Sequence, residues 1–178
     1  NKSSVWELIS NLNKRYYVNK FGESPQHVSA KKLEESIPEW FNYTKFCVVR
    51  NPWDKTVSDY FWRTRAMKSP PSFDEYLSNL YSGKDLNGIV PMNHNNWNMY
   101  TINDAVCMDN IVRYENLSSD LNKILNNQLG MDWDGWMPHA KKINKTIRPN
   151  YREYYSKEQS LMLYDIYRKE IEYFGYKF

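Results

Sequence analysis

Residues 46–58 read FCVVRNPWDKTVS, an apolar run, a cation and a helix start in immediate succession. Lys45 to Val49 is short, β-branched and apolar, which predicts a buried strand. The run ends at Arg50, a side chain that keeps its charge at every accessible pH. Asn51 is a favoured N-cap. Pro52 suits the first helical position, where its missing N–H has no partner in any case. A strand that delivers a cation to its carboxyl end, followed at once by a helix, is the geometry of an anion site: unpaired amides and the positive end of the helix dipole face the same ligand as the arginine. Ser58 lies two helical turns further on, on the face of residues 51 and 54, and can add a hydroxyl donor. The plainer reading of the same residues is a solvent-facing arginine and a helical serine bonded to its own backbone. Spacing alone leaves these two readings level.

Working outward, Ser4-x-x-Glu7 is a capping box, and Val5, Leu8, Ile9 and Leu12 recur at helical spacing, so residues 4–19 are expected to be helical. A polar stretch, residues 21–26, follows. Ser29 caps a short helix over 29–36, and Pro38 ends it. The helix begun at Pro52 is expected to run to Arg65, where Ser69-Pro70-Pro71 breaks the pattern. Ser72-x-x-Glu75 starts another helix that stops near Ser82-Gly83, before a polar loop over 84–98. Met99–Ile102 and Asn110–Tyr114 are further strand candidates. Ser118 or Ser119 caps a helix ending at Gly130. Residues 131–150 form a long loop rich in Lys and Arg, and long loops in compact domains are often functional. Ser156-x-x-Gln159 opens a last helix that ends at Phe174-Gly175. Strands alternating with helices predict an α/β fold with a mainly parallel central sheet, and its ligand belongs beyond the carboxyl ends of the strands.

The bulk numbers set limits. The chain has 178 residues, enough for one domain (1–178) with a real core, and its 15 Tyr and 7 Trp supply large apolar side chains. There is no internal repeat and no apolar run of about 18 residues that could span a membrane. No signal peptide is visible. Cys47 and Cys107 lack zinc-ligand spacing and read as buried free thiols, which suggests a reducing compartment. A net charge of +3 is too small to imply nucleic acid and is compatible with a small anionic ligand.

Arg50-Asn51-Pro52-Trp53-Asp54-Lys55-Thr56-Val57-Ser58 resembles the 3′-phosphate-binding motif of sulfotransferases that use 3′-phosphoadenosine 5′-phosphosulfate (PAPS). It is most similar to the carbohydrate branch, with its heparan-sulfate 2-O and chondroitin enzymes and bacterial relatives. Three further segments resemble that family in the same order: Gln26-His27-Val28-Ser29-Ala30; Ile111-Val112-Arg113-Tyr114-Glu115-Asn116-Leu117; and Asn144-Lys145-Thr146 through Tyr151-Arg152-Glu153-Tyr154-Tyr155 with the terminal Phe174-Gly175-Tyr176-Lys177-Phe178.

The resemblance implies a P-loop nucleotide-kinase-like fold and sulfuryl transfer from PAPS, as co-substrate, to an acceptor hydroxyl, on a glycan in this branch, with no metal. It implies that Arg50 and Ser58 hold the 3′-phosphate, that His27 is the general base, and that Asn144 and Lys145 contact the donor. His94 is a rival base, while Lys141, Lys142 and Arg148 are either donor contacts or a solvated basic loop.

The family's phosphosulfate loop, roughly Pro-Lys-x-Gly-x-Thr/Ser-Ser, is matched only at its end by Ser3 and Ser4. Lys2 stands beside them, out of register with the family lysine. Strand one and that lysine are expected before Asn1. The expected compartment is the cytoplasm, or the Golgi lumen for a eukaryotic chain with an N-terminal anchor upstream.

Two other classes compete. A P-loop kinase or NTPase needs Gly-x-x-x-x-Gly-Lys-Ser/Thr, which is not present, and gives Arg50 and Ser58 no role. A non-catalytic glycan- or nucleotide-binding module would keep the anion site and lack the base.

Overall fold

A computed structural model describes residues 28–83, 96–137 and 149–178. They divide into two compact units: residues 28–48 with 96–137, and residues 49–83 with 149–178.

The first unit is α/β. Helix α1 (Ala30–Ser36) begins at Ser29, whose hydroxyl accepts from the Lys32 N–H at 3.3 Å. Strand β1 (Phe46–Val49) pairs in parallel with a later strand, Asn110–Arg113. Lys45 and Asp109 pin their register from both sides. The Lys45 carbonyl accepts from the Asp109 and Asn110 amides at 2.9 and 3.1 Å. The Asp109 carboxylate in turn takes the Lys45 N–H at 2.7 Å and its ammonium at 3.0 Å. Those contacts hold the Asp109 carboxyl below the usual aspartate range, the backbone hydrogen bond contributing most.

The expectation of a buried strand is corrected. Phe46 and Val48 are 41% and 47% exposed while Val49 is buried. Among the described residues β1 pairs with Asn110–Arg113 only, and its outward and inward positions alternate with period 2, one face open and the other covered. Cys47 and Cys107 are free as expected but half-buried, and burial pushes the Cys107 thiol up.

The candidate strand Met99–Ile102 is also corrected. Trp97–Tyr100 is a helical turn, α2, held by the Thr101 hydroxyl donating back to the Trp97 carbonyl at 2.6 Å. Strand β2 (Thr101–Ile102) then turns straight back into β3 (Ala105–Val106), antiparallel, through Asn103 and Asp104, both at positive φ (51° and 67°). That is the backbone of a two-residue hairpin turn, a conformation Asn and Asp tolerate better than other side chains.

Strand β4 is Asn110–Arg113, and it leads through a tight 3₁₀ turn, Tyr114–Asn116, into α3 (Leu117–Asn122). Ser118 and Ser119 therefore lie inside the helix and do not cap it. No side chain caps the helix at Asn116; Asp120 instead ties α3 to the end of β4 by accepting from the Arg113 N–H at 3.0 Å. α3 widens into a π turn over Lys123–Gln128 before Gly130 stops it at φ +64°.

The second unit is helical around a single core. Helix α4 (Pro52–Thr64), α5 (Phe73–Ser82), α6 (Lys157–Ile166) and α7 (Arg168–Phe174) bury Trp53, Tyr76, Leu77, Leu80, Leu163, Tyr167 and Ile171 together. The capping boxes read from sequence, Ser72 with Glu75 and Ser156 with Gln159, are both present. The single C-terminal helix is corrected to two: Tyr167, at φ −112° and ψ 23°, breaks it into α6 and α7. Tyr167 is almost wholly buried, so packing of its ring overrides local helix propensity at that position. No helix among the described residues is long and apolar enough to cross a membrane.

Candidate functional site

The site is assembled at the start of α4, within the second unit. The Asn51 side-chain oxygen accepts from the Trp53 and Asp54 amides at 3.0 and 3.4 Å, with Pro52 at the first helical position. The cap is itself held, because Asn51 Nδ2 donates to the Tyr151 hydroxyl at 3.2 Å. Tyr151 belongs to a 3₁₀ turn (Tyr151–Tyr154) with its own capping box, Asn150 with Glu153, a signal present in the sequence and not read there. Tyr155 closes the other side: its hydroxyl donates to the Trp53 carbonyl at 2.8 Å, and burial pushes its phenol pKa up. The Phe178 ring meets Trp53, Tyr151 and Tyr155 edge-on, at 5.5, 6.1 and 5.6 Å. Three segments far apart in sequence, Asn51–Asp54, Tyr151–Tyr155 and Phe178, thus brace one helix N-terminus.

α4 turns Trp53, Thr56 and Val57 inward. The Trp53 indole N–H reaches the Ser160 carbonyl at 3.0 Å, and the Thr56 hydroxyl back-bonds to the Pro52 carbonyl at 2.8 Å. Arg50, Asp54 and Ser58, four residues apart, form a half-buried stripe on another face. Arg50 Nε and Nη2 both converge on Asp54 Oδ2, each at 2.7 Å. Ser58 differs from Thr56 and Thr64, which both return their hydroxyls to carbonyls one turn back. No such bond is made by Ser58, whose hydroxyl has no hydrogen-bond partner among the described residues.

Beside the stripe, Lys55 is 3.4 Å from Glu170 and 4.9 Å from the Tyr167 ring centroid. Burial lowers the Lys55 pKa, Glu170 opposes that shift, and the nearby Arg50 charge adds to it.

Of the residues expected at the site, Arg50 and Ser58 fall within one unit and on one helix stripe. His27, Lys2, Ser3, Ser4, Asn144 and Lys145 lie outside the described residues, as do His94, Lys141, Lys142 and Arg148. Sequence reading missed Asp54, although its four-residue spacing from Arg50 was available. It missed the bracing role of Tyr151, Tyr155 and Phe178 because only tertiary packing creates it. Among the described residues no group of three or more His, Cys, Asp or Glu could hold a metal ion.

Comparison with known proteins adds one finding. A family model described as "Sulfotransferase family" matches residues 5–177. No curated protein and no solved structure matches the chain.

Proposed function

The chain belongs to the sulfotransferase family, and from that premise we propose that it transfers the sulfuryl group of PAPS to an acceptor hydroxyl on a carbohydrate. The observation that supports this reading most is the α4 stripe. A 3′-phosphate needs a planar cation, a hydroxyl donor and a helix N-terminus on one surface, and Arg50, Ser58 and the Asn51-capped start of α4 supply them. The residues fit that group. The Arg50 fork is held in place by Asp54, and the Ser58 hydroxyl is not spent on its own helix.

In this reading Arg50 and Ser58 bind the 3′-phosphate, the feature that separates this donor from ATP. Ser3, Ser4 and Lys2 contact the 5′-phosphosulfate, and Asn144 and Lys145 close over the donor. His27 accepts the proton of the acceptor hydroxyl as its oxygen bonds to sulfur. The bond from sulfur to the 5′-phosphate oxygen breaks, and 3′-phosphoadenosine 5′-phosphate departs. The donor, when bound, supplies an activated sulfuryl group and a stable leaving anion. The rest is positioning, proton removal and charge stabilisation by the chain. Cationic side chains meet the leaving charge, so the reading assigns no metal. The free thiols Cys47 and Cys107 fit a reducing compartment such as the cytoplasm.

Transfer of radiolabelled sulfate from PAPS to a panel of glycans tests the reading. The wild type should label at least one of them, and His27→Ala should lower kcat by roughly 10²–10⁴-fold while still binding 3′-phosphoadenosine 5′-phosphate. Donor binding with no transfer to any hydroxyl would favour a non-catalytic module instead. Full activity in His27→Ala would remove His27 as the base.

A further inference from the structure

We infer that the Tyr151 hydroxyl donates a hydrogen bond to a phosphate of the donor nucleotide, with the Arg152 guanidinium beside it. This rests on the PAPS reading above and adds a binding residue to that site.

Asn51 decides where the Tyr151 proton can go. Its Oδ1 accepts from the Trp53 and Asp54 amides, which settles the orientation of the side-chain amide and leaves Nδ2 as a pure donor. Nδ2 lies 3.2 Å from the Tyr151 hydroxyl oxygen, so that oxygen accepts. A phenol has one proton, and here it cannot return to Asn51. No acceptor for it lies among the described residues.

The ring that carries this hydroxyl is fixed. Tyr151 packs against the core of the second unit. Phe178 meets it edge-on at 6.1 Å, and the Arg152 guanidinium lies 4.7 Å from its centroid, within cation–π range. A donor held in this way loses little freedom when a ligand arrives.

Water would also satisfy a half-buried hydroxyl, but the surrounding charge favours an anion. Arg152 is exposed and makes no ion pair among the described residues. Its acidic neighbour in the turn, Glu153, accepts from the Asn150 amide at 3.1 Å. A phosphate accepting from Tyr151 therefore meets a cation at the same place, and a hydrogen bond to a charged acceptor is roughly twice as strong as one to a neutral acceptor.

The test is calorimetric titration of the full chain with 3′-phosphoadenosine 5′-phosphate and, separately, adenosine 5′-phosphate. Tyr151→Phe keeps the ring and removes the proton. It should raise the dissociation constant for 3′-phosphoadenosine 5′-phosphate about tenfold, the low end for a hydrogen bond to a charged group. A rise confined to that nucleotide places the contact on the 3′-phosphate, and an equal rise for both places it on the 5′-phosphate. Asn51→Ser separates the proton from the bond between Asn51 and Tyr151. Serine caps about as well as asparagine and has no Nδ2, so Tyr151 keeps its proton for the ligand and the constant should stay within about threefold of wild type. Asn51→Asp also keeps the cap but takes the Tyr151 proton on its carboxylate, and it should weaken binding by about tenfold or more. That variant stands in for Tyr151→Phe if the latter does not fold.

An unchanged constant in Tyr151→Phe or in Asn51→Asp overturns the inference, as does a loss in Asn51→Ser equal to that in Tyr151→Phe. A wild type that does not distinguish the two nucleotides removes the PAPS reading itself, a result separable from every variant outcome.

Discussion

Replacing Glu170 with Gln should destabilise the protein by about 3 kcal/mol at neutral pH, the low end of the cost of breaking a buried ion pair. Glu170 Oε2 faces Lys55 Nζ at 3.4 Å, and their side chains are only 6% and 16% exposed. Lys55 has already lost most of its hydration: burial lowers its pKa, and Glu170 is the strongest group opposing that shift. Without the carboxylate the ammonium keeps the Tyr167 ring at 4.9 Å, which offsets part of the loss and places the estimate at the low end. For a chain of this size the change corresponds to a fall in Tm of roughly 6–12 °C.

The pH dependence gives the sharper test. The folded-state pKa of Lys55 lies below its unfolded value, so between the two the unfolded chain binds more protons, and stability rises with pH across that interval. Removing Glu170 pushes the folded pKa lower and widens the interval. The deficit of Glu170→Gln should therefore be largest near neutrality and shrink as the pH approaches the unfolded lysine pKa of 10.5. The double variant Lys55→Met/Glu170→Leu should recover most of the stability. Urea denaturation from pH 6 to 10 measures all three proteins. A deficit below about 0.5 kcal/mol, the range of an ordinary surface substitution, or a deficit that grows with pH, would mean that Glu170 does not compensate a buried Lys55 charge.

Ser58→Ala should weaken 3′-phosphoadenosine 5′-phosphate binding roughly five- to tenfold while leaving the urea midpoint unchanged, because the Ser58 hydroxyl makes no hydrogen bond among the described residues. Asn51→Ala removes the α4 cap and the bond to Tyr151, and thermal unfolding should register a loss of about 1–2 kcal/mol. The Asp109 carboxyl is held below 3.8, first by the Lys45 N–H, so it stabilises the fold above that pH and the contribution is lost as the carboxylate protonates. Acid unfolding followed by circular dichroism should be less steep in Asp109→Asn than in wild type below pH 4.

What could be read from sequence here was mostly local chemistry. Ser29, Asn51, Ser72 and Ser156 all cap the helices they precede, because an N-cap depends on one oxygen and the amides two or three residues on. Gly83, Gly130 and Gly175 mark helix ends at positive φ for an equally local reason. The errors come where long-range packing or hydrogen bonding decides. Tyr167 breaks a helix because its ring is buried. Thr101 ends a helical turn by bonding backward, and Asn103-Asp104 is a weaker turn signal than Asn-Gly. Phe46 and Val48 are apolar yet face outward, which periodicity in a four-residue strand cannot distinguish from double burial. At the site, Arg50 and Ser58 were legible as a motif. Asp54 was available as a four-residue spacing from Arg50, whereas Tyr151, Tyr155 and Phe178 show their roles only once α4 and the C-terminal segment are packed together.

The proposed function depends most on Arg50 recognising the 3′-phosphate of a PAPS-type donor. The most direct measurement is calorimetry on the full wild-type chain and Arg50→Ala, each titrated with 3′-phosphoadenosine 5′-phosphate and with adenosine 5′-phosphate. The wild type should prefer the 3′-phosphorylated nucleotide, and Arg50→Ala should lose about 2–3 kcal/mol of that preference, the scale of hydrogen bonds between charged groups. Equal preference in the two proteins, or none in the wild type, would contradict it.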